Sequence, residues 1–209
     1  MGRYTGPKHH LCRAEGVSLC GLSKCPVLKR NAPPPGQHGP KLGQYGRKGR
    51  KKSSDYAIQL RQKQKVKRIY GLREKQFKKY YILASKKKGA TGETLLETLE
   101  RRLDNVVFRL NLAQSRQQAH QLVSHGHILV NDKKVNISSY NVKIGDVIMP
   151  SSKAANFEFV KKTAQEAKDV KLPSWLAKQA TVGKVISLPS REDIDADIDE
   201  RLIVEYYSR

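Results

Sequence analysis

The sequence predicts an α+β fold, in which a helical basic half headed by an irregular segment is followed by a helix–helix–β-hairpin module. Three observations predict it. Capping residues and stopping glycines mark out successive amphipathic helices between residues 53 and 126. A strand–turn–strand pattern follows at once. The charge also divides the 209-residue chain into unlike parts.

Residues 1–92 carry 24 Lys and Arg against three acids (Glu15, Asp55 and Glu74), whereas residues 93–209 carry 17 bases and 16 acids. Nearly all of the net charge of +22 therefore sits in one part of the chain. Such a surface repels itself unless a polyanion neutralises it, and nucleic acid is the commonest such partner. No stretch approaches the ~20 apolar residues that a bilayer span needs, so a membrane is not expected as a partner. The opening "MGRYTGPKHHLCRAEG" has no apolar core of the signal-peptide kind, which sets the expectation of a reducing cytosol.

Residues 26–52 combine a proline triplet with closely spaced glycines, which no helix or interior strand tolerates. Lys41 to Lys52 contain six bases and no acid, a composition suited to lying along a phosphate backbone. Ser53, Ser54 and Asp55 are N-cap residues, and the helix they open runs to Gly71. A second helix places Phe77, Tyr80, Tyr81 and Ala84 on one stripe and stops at Gly89. Thr94 with Glu97 has capping-box spacing, opening a helix whose stripe runs from Leu95 to Leu110. Ser115 with Gln118 repeats that spacing before a short helix closed by Gly126. "HILVNDKKV" then reads as a hairpin turning at Asn131-Asp132, and "SYNVKIGDVIMP" as a further strand pair around Gly145-Asp146. The closing "LIVEYY" reads as an apolar strand or extended segment.

All three cysteines fall in "HHLCRAEGVSLCGLSKC", with the spacing His9-x2-Cys12-x7-Cys20-x4-Cys25. An odd count in a reducing compartment argues against a disulfide framework. Three thiols and one imidazole are a common tetrahedral donor set for structural zinc. The alternative is three small residues that merely pack.

"LERRLDNVVFRLNLAQSRQQAHQLVSHGHILVNDKKVNISSYNVKIGDVI" closely resembles the small RNA-binding module named after the fourth protein of the small ribosomal subunit. "MGRYTGPK", "PPGQHG", "SDYAIQLRQKQKVKRIYG", "KKKGATG" and "LIVEYYSR" extend the resemblance to the bacterial-type family of that ribosomal protein over nearly the whole chain. The resemblance implies that the module, residues 93–175, is inserted into a helical first domain made of 46–92 and 176–209, behind an N-terminal segment 1–45. It implies a structural constituent of the small subunit that binds small-subunit ribosomal RNA directly at a helix junction, nucleates subunit assembly, and contributes near the messenger entry and decoding region. Neighbouring small-subunit proteins and the chain's own messenger RNA are further partners it implies. The location is the ribosome of the cytoplasm or of an organelle.

On that basis the expected RNA-binding residues are Arg47, Lys48, Arg50, Lys51, Lys52, Arg61, Lys65 and Arg68 in the basic half. In the module they are Arg101, Arg102, Arg109, Arg116, His125, His127, Lys133 and Lys134. Some members of the family bind zinc through four cysteines in the N-terminal segment. Here His9 stands where the first would be, so the expected metal set is His9, Cys12, Cys20 and Cys25, with His10 a competitor. The rival function is an RNA-modifying enzyme of the pseudouridine synthase type, since Arg102-Leu103-Asp104 matches that class's short aspartate motif. Those residues lie in an apolar-striped helix, no phosphate-gripping glycine loop is present, and the expectation is no enzyme.

Overall fold

In a computed structural model, the chain forms two compact units, residues 1–74 with 198–209 and residues 75–197. The structure describes residues 4, 6–20, 24–29, 54–160, 163, 172–194 and 198–209.

In the first unit, α1 (Lys8–Glu15) and the single turn α2 (Pro26–Lys29) precede the long helix α3 (Asp55–Ile69). Ser54 caps α3 by accepting from the Ala57 N–H, and Gly71 follows it in the left-handed region at φ 64°. The C-terminal helix α9 (Glu200–Ser208) packs along α3. This corrects the extended reading of "LIVEYY". Asp199 caps the helix through the Arg201 N–H, and helical spacing turns Ile203 inward, where it is fully buried.

Between these helices Lys63, 4% exposed, donates to Glu74 Oε1 at 2.9 Å and sits 4.4 Å over the Tyr206 ring. Burial opposes the Glu74 carboxylate, but Lys63, the Tyr207 hydroxyl and Lys67 outweigh it and hold it down at about 2. A group depressed from 4.5 to about 2 contributes stability that is full above the unfolded value and lost as pH falls through the folded one. Acid titration of Tyr206 and Tyr207 fluorescence should therefore show a transition between pH 4.5 and about 2. Glu74→Gln should remove that part of the pH dependence; an unchanged acid transition would contradict the assignment.

The second unit holds α4 (Glu74–Ser85, from Lys75 on), α5 (Thr91–Glu100), α6 (Leu103–Arg109), α7 (Arg116–Ser124) and the turn α8 (Ser152–Ala155). Strands β1 (Ile128–Val130), β2 (Lys133–Lys134), β3 (Val147–Pro150), β4 (Leu176–Gln179) and β5 (Val182–Val185) form one antiparallel sheet in the order β2-β1-β3-β5-β4. Ile128, Val130, Ile148, Leu176 and Val185 face α6 and α7, closing a core with Leu103, Val106, Leu110, Leu122 and Trp175. Gly183 gives this face its depth, because a Cβ there would lie 2.3 Å from Leu110 Cδ1.

The expected limits at 92/93 and 175/176 differ from these compact units. Strand β5 pairs with β3 and β4 pairs with β5, so residues 176–185 extend the sheet of the second unit. The single apolar helix expected from Leu95 to Leu110 is two helices. Arg102 is extended between them (φ −65°, ψ 135°), and the first N–H groups of α6 are taken by Tyr140 and Ser138 carbonyls. Helix α5 begins at Thr91 without a side-chain cap, not at the Thr94–Glu97 box. Beyond Gly145 a single strand, β3, stands where a pair was expected.

Candidate metal centre and nucleic-acid interface

Residues Lys8–Glu15 of the N-terminal segment form a helix where an irregular run was expected, and that helix carries two residues of the candidate metal centre. His9 and Cys12 lie three residues apart on α1, which puts both on one face. Gly16, at φ 71°, ends α1 and turns the chain toward Cys20, and Cys25 lies just before α2. The ligand atoms of His9, Cys12, Cys20 and Cys25 all lie within 4.8 Å of one another, with His9 Nδ1 4.0 Å from Cys20 Sγ. A tetrahedral zinc with ~2.3 Å sulfur bonds needs its sulfurs about 3.8 Å apart, so this donor set fits the ion closely.

The thiols are unlike. Burial pushes Cys12 up to about 11, helped by neighbouring Cys20. Burial also opposes the Cys25 thiolate, yet hydrogen bonds from Ser18, the Val27 N–H and His9 bring it down to about 6.

Helix α3 holds this segment in place. Arg61 Nη1 donates to the Ala14 carbonyl at 2.6 Å, and Arg68 pairs with Glu15, whose side chain is 4% exposed. Two arginines expected on RNA thus have structural partners, while Lys65 lies half-buried on the same helix. Arg47, Lys48, Arg50, Lys51 and Lys52 lie outside the described residues.

The arginines of the module are likewise engaged. Arg101 donates to the Val142 carbonyl and to Glu97. Arg102, 2% exposed, grips Asp104 with Nε and Nη2 at 3.1 and 2.6 Å and gives Nη1 to the Tyr80 hydroxyl. Burial works against its charge, but Asp104 and Tyr80 reverse that effect and raise its pKa. Arg109 makes two bonds to the buried Glu100 carboxylate. Asn105 donates to Glu100 and accepts from Arg116 Nε at 2.9 Å, and the Arg116 guanidinium lies 4.6 Å over Phe108. Arg116 is half-buried, not the exposed residue its place at the start of α7 suggests.

The module's outward groups are at the other end. Asn131 and Asp132 take positive φ, 49° and 63°, as the tight hairpin turn demands, and lift Lys133 and Lys134 into solvent. His125 is exposed and His127 half-buried, on either side of Gly126. Their rings begin a row that Phe157 and Phe159 continue. Sequence reading missed these two phenylalanines, which no motif marks, and the buried partners Glu100, Asp104 and Asn105. Acids inside an apolar stripe were the available signal for the latter.

The described residues thus comprise a helical unit carrying much basic charge and a module of packed helices on a hairpin-led sheet. Residues 3–100 match the family described as "Ribosomal protein S4/S9 N-terminal domain", and residues 101–148 match the "S4 domain". The chain belongs to the ribosomal protein S4 family. It is 50% identical to the small ribosomal subunit protein uS4A of Symbiobacterium thermophilum, 52% to uS4 of Thermoanaerobacter pseudethanolicus and 46% to uS4 of Thermus thermophilus. Each alignment covers all of both chains.

Proposed function

We propose that this protein is a structural constituent of the small ribosomal subunit, not an enzyme, that binds small-subunit ribosomal RNA directly at a helix junction and nucleates assembly. Full-length similarity to small-subunit proteins at about half identity supports this reading more than any other observation. The charge distribution supports it independently, since a +21 stretch in residues 1–92 needs a polyanion beside it. Neighbouring small-subunit proteins, a place where the messenger enters, and binding of its own messenger RNA follow from the family. Asp104, which the enzyme reading would make catalytic, is only 6% exposed and is held by Arg102 and His120.

The phosphate contacts fall to Arg47, Lys48, Arg50, Lys51, Lys52 and Lys65 in the basic half and to Lys133 and Lys134 at the hairpin tip, with His125 and His127 beside it. Arg61, Arg68, Arg101, Arg109 and Arg116 shape the surfaces around them. Arg102 is too deeply buried to reach RNA. A structural zinc ion completes the N-terminal segment, held by His9, Cys12, Cys20 and Cys25. It would cross-link α1, the Cys20 loop and the start of α2.

Binding to a small-subunit ribosomal RNA fragment should weaken with salt. Contact with ~6 phosphates gives a slope of log K against log salt of about −4 to −5. Replacing Arg47, Lys48, Arg50, Lys51 and Lys52 together with glutamine should flatten that slope by several units, read by filter binding across a salt titration. A slope unchanged by the five substitutions would remove this stretch from the interface.

A further inference from the structure

Four rings run in a row across the second unit, and the core packing does not use them fully. His125 and His127 have ring centroids 6.1 Å apart. His127 meets Phe157 edge-on at 5.2 Å and 86°, and Phe157 stacks on Phe159 at 5.5 Å and 26°. His125 is exposed and the other three are half-buried; the phenylalanines lean on the core from outside it. The backbone fixes the row, because Ser151 N–H donates to the His127 carbonyl at 2.9 Å and so ties α8 and the phenylalanines after it to the residue just before β1.

Lys134 runs alongside. Its Cε lies 2.2 Å from where a Cβ at residue 126 would stand, which places the lysine stem against the glycine between the two histidines. Gly126 holds φ 69°, a left-handed conformation that favours glycine. The result is an aromatic strip bordered by a cation at the exposed hairpin tip. Aromatic faces beside lysines are how proteins hold unpaired bases, whose rings stack while the backbone meets the charge.

Resting on the RNA-binding reading above, we infer that His125, His127, Phe157 and Phe159 form a stacking platform for an unpaired RNA base, with Lys134 on the adjoining phosphate. The occupant is a single-stranded nucleotide, not a duplex, because bases stacked within a duplex hide the faces that these rings would cover. Sequence preference is weak, since every base offers a π face.

The test uses the full chain with phenylalanine ring carbons labelled, an adenine octaribonucleotide, and an octamer of equal backbone charge lacking bases. The chain has four phenylalanines, and Phe77, fully buried, is an internal control. The Phe157 and Phe159 ring resonances, assigned with Phe157→Leu and Phe159→Leu, should shift with the adenine octamer and not with the abasic one. Joining the two substitutions keeps apolar bulk for the core, and should weaken adenine-octamer binding about tenfold while leaving the abasic octamer and the salt slope unchanged. Rings that stay silent, or a double variant that weakens both octamers equally, would overturn the platform while leaving the phosphate interface intact. No measurable binding of the small-subunit ribosomal RNA fragment at any salt concentration would overturn the RNA-binding reading itself.

Discussion

Asp104→Ala should lower the unfolding free energy by about 3–5 kcal/mol, the range for breaking a buried ion pair from one side. The carboxylate takes two hydrogen bonds from Arg102, one contact with His120 Nδ1 at 3.1 Å, and the Asn105 backbone N–H at 2.9 Å. Without it, a guanidinium 2% exposed keeps, among the described residues, the Tyr80 hydroxyl and ring. Replacing both partners should cost less than either alone, so Arg102→Met with Asp104→Leu is the control that separates charge burial from packing. Urea unfolding followed through Trp175, which is fully buried in the same core, reads both variants. A loss under about 1 kcal/mol for Asp104→Ala would mean that water reaches the pair.

This network explains why the arginines of the module mislead in sequence. In sequence, Arg102, Arg109 and Arg116 read as positions on amphipathic helices and look like a basic face. Their partners Asp104, Glu100 and Asn105 are near in sequence but hidden among apolar residues; the break between α5 and α6 turns Glu100 toward Arg109, and the packing of α7 on α6 sets Arg116 against Asn105. That break is itself illegible, because the carbonyls that cap α6 belong to Ser138 and Tyr140, more than thirty residues on.

Local signals are legible. Ser54 and Ser115 cap their helices, Gly71 and Gly126 follow them in the left-handed region, and Asn131-Asp132 turns the hairpin. Long-range pairing is not, which is why β4 and β5 fall outside the module that the sequence suggests. The C-terminal helix is a different case. Asp199 and the spacing of Ile203, Tyr206 and Tyr207 are visible, yet a short apolar run suggests strand where length and cap favour helix.

The cluster of His9, Cys12, Cys20 and Cys25 is legible from spacing, and the structure supplies a reason for preferring His9 over His10. In an extended chain the preference would rest on a tight turn; on α1 it follows from helical phase, since three residues apart share a face and two do not. His10 is exposed, while His9 Nδ1 points at Cys20. Protein prepared without chelator should therefore hold one zinc per chain, with X-ray absorption giving three sulfurs and one nitrogen. His10→Ala should keep the ion, His9→Cys should keep it with four sulfurs, and Cys25→Ser should lose it. Because the metal competes with protons for the thiols, mild acidification should release it. The largest consequence falls on the first unit: zinc bound by folded ligands contributes its binding free energy to folding, on the order of 10 kcal/mol for small structural sites. Chelation should then raise hydrogen exchange across α1 and α2 and expose the Ala14 and Glu15 contacts to Arg61 and Arg68. Residues 75–197 contain none of the four ligands and have their own core, so their exchange should stay unchanged. Metal-free protein with native exchange in α1 and three freely titrating thiols would show that the cysteines only pack.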